Sequence, residues 1–196
     1  MAGWPVPVER LALIGHSMGG LVIRAACHAA GEAGHHWPAL VGTCVYLGSP
    51  HRGAALERAV HTAGALLDRL PEGRASGEIL RLRSAGIKDL RHGAVHPDDW
   101  ADAPPDSWPS PRPRRIPLLA GARHVAVAAT LGARRDGLEA RILGDLLVPY
   151  PSATRPAHRR PEPGDTVVDV VHLPRTDHLS LLNHPQVRAE VVGWLA

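Results

Sequence analysis

Hydrophobic positions along the chain follow two patterns, short continuous apolar runs and apolar residues at helical spacing. Four short runs are bounded by polar or glycine-rich segments, as is typical of buried parallel strands. They cover residues 10–14, 40–47, 123–131 and 166–173. Between the first two runs, apolar residues recur every three or four positions and predict a helix from Met18 to about Ala30. A final helix is predicted from Pro185 to Leu195.

The order of these elements predicts an α/β fold. A strand, a helix and a second strand at the start of the chain leave room for the crossover that parallel strands need. We therefore expect a mostly parallel sheet of about four strands, flanked by helices, in a single domain over residues 1–196. Residues 54–70 and 79–90 are predicted helices and 134–143 a short helix. Residues 96–113 and 152–165 are rich in proline and predict loops.

Composition narrows the classes of function. Hydrophobic residues make up 44% of the 196 residues, which excludes wholesale disorder. The net charge of +3 is small and scattered, so no nucleic-acid partner is expected. No apolar run is long enough for an integral membrane segment, and no signal peptide is evident, so a cytoplasmic location is expected.

Cys27 and Cys44 are predicted to be buried thiols. The pair His35-His36 lacks a third ligand at suitable spacing, so no metal site is expected.

Residues 15–20 read GHSMGG and carry the strongest chemical signal. A G-x-S-x-G pattern between a strand and a helix is typical of a nucleophile elbow, a tight turn that exposes the serine. Ser17 is therefore the predicted nucleophile. Gly15 and Gly19 are predicted to be small because a side chain would meet neighbouring backbone. The Met18 N–H, in the first helical turn, is the predicted oxyanion donor, and His16 is expected to pack or hydrogen-bond locally.

A serine nucleophile needs a general base. Among 13 histidines, His178 is favoured because it lies between the last predicted strand and the last predicted helix, from where an imidazole can reach back over the sheet. His172, within the strand, and His184, at the start of the helix, are predicted to be structural.

Two aspartates are candidates for the acid that orients this base. Asp136 and Asp145 both follow the third predicted strand, and Asp136 is nearer to its end. Asp145 is favoured because the apolar residues after it can bury and fix its carboxylate. Asp177 is too close in sequence to His178 to orient it.

Four segments together resemble the α/β-hydrolase fold, and within it the GPI inositol-deacylase-like and triacylglycerol-lipase-like group. Residues 13–20 resemble the nucleophile elbow and 47–53, LGSPHRG, the segment after the next strand. Residues 143–149, LGDLLVP, resemble a G-D-G-x-V-P acid loop with leucine in place of the second glycine, and 177–182 resemble the segment of the catalytic histidine. The resemblance favours Asp145 over Asp136 and implies a lid over roughly residues 53–115.

The resemblance implies a Ser17–His178–Asp145 triad acting on a small-molecule or lipid ester through an acyl-enzyme, without cofactor or metal. Only about ten residues precede the nucleophile strand, where this fold normally has several strands. The chain therefore resembles a C-terminal portion or a mis-started product, and a dimer is expected to cover the exposed sheet edge. Two alternatives stay open: a catalytically inactive interaction module, and an acyltransferase that uses the same triad.

Overall fold

The computed structural model describes residues 4–52, 96, 116–154 and 166–195. Their four strands form one sheet in the order β1-β2-β3-β4, and each strand is parallel to its neighbours. The strands are β1 (Leu11–His16), β2 (Val41–Leu47), β3 (Arg123–Thr130) and β4 (Val168–Pro174). The predicted α/β class is confirmed: a four-stranded parallel sheet is flanked by helices, as in a partial α/β-hydrolase fold.

Four helices and two 3₁₀ turns accompany the sheet within the described residues. The helices are α1 (Met18–Glu32), α2 (Leu138–Ile142), α3 (Tyr150–Ala153) and α4 (Pro185–Leu195). The 3₁₀ turns are Trp37–Leu40 and Ser180–Asn183. Several predicted boundaries were wrong by one to four residues: β1 is not 10–14, β4 is not 166–173 and α2 is not 134–143. At two of the wrong boundaries a residue lies in a different type of element. Leu40 ends a 3₁₀ turn and does not begin β2, and Ser152 lies in α3 and not in a loop. Both short elements carry a proline in their first turn, where its fixed φ favours helical backbone.

The sheet is covered on both faces, which explains why its central strands read as continuous apolar runs. On β2, alternate residues face opposite ways. Cys44 and Tyr46 join a cluster with Ile23 and Cys27 of α1. On the other face, a second cluster joins β2, β3 and β4 to the C-terminal segment, including Val45, Leu47, Val125, Val127, Leu173, Leu181, Val187 and Trp194. All residues of β3 after Arg123 are buried.

Two side chains, one next to the start of β1 and one in β2, fix the C-terminal helix. Arg10 Nη2, next to the start of β1, donates to the Leu195 carbonyl at 2.7 Å, and Thr43 Oγ1 donates to the Trp194 carbonyl at 3.2 Å. The last carbonyls of a helix have no partner within it, so these bonds satisfy them and hold α4 under the sheet.

β1 lies at one edge of the described sheet. Its Ile14 side chain is 45% exposed, and Leu11 and Leu13 are only partly buried. The edge is therefore apolar, as expected for the nucleophile strand, and the dimer predicted to cover it stays a prediction. No helix among the described residues is both long and apolar enough to cross a membrane.

Candidate active site

The turn between β1 and α1 is a strained elbow with Ser17 at its apex. Ser17 has φ 52° and ψ −123°, a region that non-glycine residues avoid. Its backbone N–H donates to the Leu47 carbonyl at 2.8 Å, which continues the β1–β2 pairing one residue past the strand. The structure around the turn therefore holds the serine in a costly conformation at the carboxyl end of the sheet.

Close packing explains two glycines of the elbow, but not the pair that was predicted. A Cβ on Gly15 would lie 2.5 Å from the Gly19 carbonyl carbon, so the prediction is confirmed there. A Cβ added to Gly19 would meet no described atom within 4 Å outside its chain neighbours and its own helix, so the clash expected with backbone packed against the turn is wrong there. The crowded position is Gly20, where a Cβ would overlap the Ser49 side chain. The elbow therefore packs against the end of β2 through Gly20.

Met18 begins α1, a helix of 15 residues. The first N–H groups of a helix have no intrahelical acceptor and lie at the positive end of its dipole. The Met18 N–H follows Ser17 directly, so it is available to an oxygen that develops negative charge at the serine.

His178 and Asp145 form a buried pair. Nδ1 of His178 lies 2.8 Å from Oδ2 of Asp145, and the two side chains are 4% and 1% exposed. The backbone N–H of His178 also donates to the Asp145 carbonyl at 3.0 Å. Because a carboxylate only accepts, the proton of a neutral imidazole lies on Nδ1, and Nε2 keeps its lone pair.

The loop over residues 143–149 holds the Asp145 carboxylate through its own backbone, in addition to the bond with His178. Its Oδ1 accepts the backbone N–H groups of Leu147 and Val148 at 3.1 and 2.8 Å. Val148 is buried against Ala128 of β3. The apolar residues after the aspartate anchor the loop, as the sequence suggested, and the carboxylate is desolvated and held by three donors.

Two backbone conformations shape this loop. Gly144 has φ +58°, and a Cβ there would overlap the Val148 carbonyl. Leu146 has φ 92° although it carries a side chain, which is 57% exposed. This is the position where the resembling pattern has a second glycine, so the leucine is accommodated at the cost of backbone strain.

The elbow is joined to His178 through His16, the residue before Ser17. Nε2 of His16 donates to the His178 carbonyl at 3.0 Å, and the two rings are 4.7 Å apart. His16 was expected to pack or hydrogen-bond locally, but its hydrogen bond and its ring contact both reach a residue at the far end of the chain. Across the strand pair, the Ser17 N–H donates to the Leu47 carbonyl, and a Cβ added to the next residue, Gly48, would lie 3.2 Å from His178 Cε1.

Nε2 of His178 is buried and has no hydrogen-bond partner among the described residues. The Ser17 hydroxyl is therefore not bonded to it in this structure. Hydrogen bonds between a nucleophile and its base are often loose without substrate and tighten in the reacting complex. A buried imidazole nitrogen with a lone pair and no partner is costly, and it is suited to accept a proton.

Gly48 was not recognised as a site residue from the sequence. It has φ +56°, and a Cβ there would lie 2.7 Å from Leu181 Cδ1 and 3.2 Å from both Asp145 Oδ2 and His178 Cε1. Its N–H donates to the Val127 carbonyl at 2.8 Å. The absence of a side chain at Gly48 therefore leaves the space that the Asp–His pair fills. The one signal in the sequence was its place directly after a strand, in LGSPHRG.

A buried polar group beneath the elbow stays neutral. The Tyr46 hydroxyl and His124 Nδ1 are 2.9 Å apart, and His124 Nε2 bonds to the Leu119 carbonyl at 3.0 Å. The carbonyl requires Nε2 to donate, so a neutral His124 accepts from Tyr46. Burial raises the pKa of Tyr46 and lowers the pKa of His124.

The two cysteines are buried as predicted, and they lie side by side. A hydrogen bond with Cys27, together with burial, raises the pKa of Cys44. Cys44 therefore stays a thiol at neutral pH and is a poor nucleophile.

The remaining sequence candidates lie outside the pair. The Asp136 carboxylate is exposed and bonded to Arg134 at 2.9 and 3.0 Å. Asp177 accepts the N–H groups of residues 179 and 180 and the Ser180 hydroxyl, so it caps the 3₁₀ turn after His178.

The two histidines predicted to be structural have local roles. The Thr130 hydroxyl donates its proton to the Gly132 carbonyl. It therefore accepts a hydrogen bond from His172 Nε2, which lies 2.8 Å from Thr130 Oγ1. His184 Nδ1 accepts the Gln186 N–H at the start of α4. The lid predicted over residues 53–115 lies outside the described residues except for His96.

Part of the chain is similar to a known protein family. The family model described as PGAP1-like alpha/beta domain matches residues 4–105, which include the elbow and the segment around Gly48. The match covers just over half of the 196 residues and ends before Asp145 and His178. No curated protein matches the chain.

Proposed function

The chain belongs to the PGAP1-like alpha/beta domain family, which has an α/β-hydrolase-like fold, and on this premise we propose that it is a serine hydrolase that cleaves carboxylic esters. One observation carries the proposal. The buried pair of His178 and Asp145 leaves Nε2 of the imidazole with its lone pair, beside the strained elbow of Ser17. A general base and a nucleophile are the groups that acyl transfer requires.

In the first half-reaction, the Ser17 hydroxyl attacks the ester carbonyl carbon while His178 Nε2 takes its proton. Asp145 keeps the Nδ1–H of the imidazole directed at its carboxylate and stabilises the imidazolium that forms. The carbonyl oxygen becomes an oxyanion and accepts the Met18 N–H. His178 then returns the proton to the leaving alcohol, and the acyl group stays on Ser17.

In the second half-reaction, water attacks the acyl-enzyme. His178 takes a proton from this water, and a second tetrahedral oxyanion forms at the same carbonyl carbon. Its collapse releases the carboxylic acid and restores the serine hydroxyl with the proton from His178. Loss of one oxyanion donor typically lowers the rate by about 10²–10³-fold, so the Met18 N–H is a large part of the proposed rate enhancement.

Apolar surface around the site supports an ester with a bulky apolar acyl group. The residues that directly follow Ser17, Asp145 and His178 are Met18, Leu146 and Leu179, and they are 46%, 57% and 68% exposed. Burial of such side chains by a substrate is favourable by roughly 25 cal/mol for each Å² of apolar surface removed from water. A lipid-like acyl chain would supply that contact.

The free energy that the strained and unpaired groups of the site cost argues against a catalytically inactive interaction module. Backbone strain at a residue such as Ser17 costs about 1–3 kcal/mol, and a buried unpaired polar atom such as His178 Nε2 costs about as much. A protein that only bound a partner would gain nothing from either feature. Both are expected where a serine must be exposed and a base must stay free to accept a proton.

The test is covalent labelling with an alkyl fluorophosphonate, which reacts with activated serines. We expect the wild-type protein to be labelled at Ser17, identified by peptide mass spectrometry, and Ser17→Ala to be unlabelled. Ser49→Ala is the matched control, because Ser49 is also a serine at the end of a strand but is completely buried. It should label at the wild-type rate. A folded wild-type protein that is not labelled at Ser17 would refute the proposal.

Product analysis separates hydrolysis from acyl transfer. Aryl esters of increasing acyl length are incubated with the protein, with and without a competing alcohol. We expect free acid as the main product, and faster cleavage of longer acyl chains until the apolar surface is covered. A product ester formed from most turnovers at low alcohol concentration would instead identify an acyltransferase.

A further inference from the structure

A cluster of metal-binding side chain types lies on α1, away from the candidate active site. His28 and Glu32 are one helical turn apart, and His96 lies against them from a distant part of the chain. We propose that His28, Glu32 and His96 bind a divalent transition metal, for which Zn²⁺ fits best, and that this ion joins α1 to the chain at residue 96. The inference does not depend on the proposed hydrolase activity.

The distances fit a metal better than direct contacts. His28 Nε2 lies 3.6 Å from Glu32 Oε1, and His96 Nε2 lies 3.9 Å from Glu32 Oε2. Both exceed the usual hydrogen-bond length. A tetrahedral ion with bonds of about 2.0–2.1 Å holds its ligand atoms about 3.4 Å apart. Candidate ligand atoms of all three residues lie within 4.8 Å of one another, so small side-chain rotations would close the shell.

The donor set selects the ion. Two imidazoles and one carboxylate are ligands of zinc and similar transition metals, whereas Ca²⁺ and Mg²⁺ prefer shells of oxygen. With three protein ligands, water would complete a four-coordinate shell.

The exposed fractions of the three side chains indicate which side of the proposed site faces solvent. The side chains of His96 and His28 are 10% and 24% exposed, and Glu32 is 61% exposed. The imidazole rings are 5.4 Å apart at 56° and form the inner side, and the carboxylate closes the site from solvent. An ordinary surface pair of His28 and Glu32 would not explain the approach of His96 to the same carboxylate.

The site is structural in our proposal. His28 is 11 positions after Ser17 in the sequence, which places it roughly 16 Å further along the axis of α1. An ion at that distance does not touch the reacting groups. It links α1, the helix that begins at the nucleophile elbow, to a residue of the region predicted to be a lid. The pattern escaped the sequence analysis because His96 is remote in the chain from the other two ligands.

The test measures Zn²⁺ binding to the full chain after chelation and removal of the chelator. We expect one tightly bound Zn²⁺ per chain by calorimetry, with the stoichiometry confirmed by elemental mass spectrometry. Glu32→Gln and His96→Ala should each weaken binding at least tenfold. Glu32 is largely exposed, so its variant should fold normally, which circular dichroism will check.

Exposed histidines that follow α1 provide the matched control. His35→Ala and His36→Ala should leave the Zn²⁺ affinity within twofold of wild type, since both residues lie outside the cluster. Substitution by Co²⁺ should give the strong visible absorption of a four-coordinate site, and Glu32→Gln should abolish it. Absence of tight Zn²⁺ binding, or an equal loss in the control variants, would overturn the proposal.

Discussion

Replacement of Gly48 by alanine tests whether the space at this position sets the geometry of the Asp–His pair. Gly48 has φ +56°, where a residue with a Cβ costs about 1–2 kcal/mol. The added Cβ would also lie 2.7 Å from Leu181 Cδ1. Leu181 is completely buried, so it cannot move into solvent, and overpacking of this kind costs about 1–3 kcal/mol.

Together these effects predict that Gly48→Ala lowers the free energy of unfolding by about 1–4.5 kcal/mol, after a gain of about 0.4–1 kcal/mol from the less flexible unfolded chain. For a domain of this size, each kcal/mol lowers the melting temperature by roughly 2–4 °C. The same Cβ lies 3.2 Å from Asp145 Oδ2 and His178 Cε1. Displacement of the imidazole by about 1 Å should slow labelling of Ser17 by about 10²-fold.

Gly34→Ala is the matched control. Gly34 also has a positive φ, +69°, but no described atom lies within 4 Å of a Cβ built there. Gly34→Ala therefore has the conformational cost of a positive φ without the steric overlap that Gly48→Ala adds. Thermal unfolding and fluorophosphonate labelling are measured for both variants. If Gly48→Ala loses no more stability than Gly34→Ala and labels at the wild-type rate, the inferred role of Gly48 is wrong.

Three further predictions concern single side chains. Asp145→Asn should slow ester cleavage by about 10⁴-fold, because the imidazole loses the acceptor that orients it. The control Asp136→Asn, which changes an exposed carboxylate, should leave the rate of cleavage unchanged. Equal effects of the two variants would contradict the assignment of Asp145. Leu146→Gly should raise the free energy of unfolding by about 0.5–1 kcal/mol, since it relieves a positive φ at an exposed side chain, and a lower melting temperature would contradict that interpretation. His124 has a lowered pKa in the folded protein, so its stabilising contribution is complete above its ordinary pKa and is lost as pH falls through and below that value. Chemical denaturation across the acid range, from neutral pH downward, should show a shallower loss of stability for His124→Gln than for wild type, and identical slopes would refute this.

The elements of this fold follow largely from local pattern. Continuous apolar runs predicted the four strands of the described residues. For the central strands the reason is that burial on both faces leaves no polar side to interrupt the run. Apolar residues at helical spacing predicted α1 from its first residue. Errors fell at element ends, such as Leu40 and Ser152, where a proline favoured a helical turn over the strand or loop.

The candidate site was predictable to a lesser degree. The elbow at Ser17 is a local turn formed by contiguous residues, so the sequence pattern could predict it. The choice of Asp145 rested on the apolar residues after it, and Val148 does anchor that loop in the core. The bond from His16 to the His178 carbonyl was out of reach, because it joins residues from opposite ends of the chain.

What the sequence alone determined is the four described strands, the longer helices α1 and α4, and the tight turn that carries Ser17, because each depends on neighbours within a few residues. Tertiary structure alone decided that Gly48 makes room for the Asp–His pair, that Gly20 and not Gly19 is crowded, and that His96 meets His28 and Glu32. Such features depend on the distance between atoms that the chain brings together only after folding. A pattern read along one dimension contains no measure of that distance.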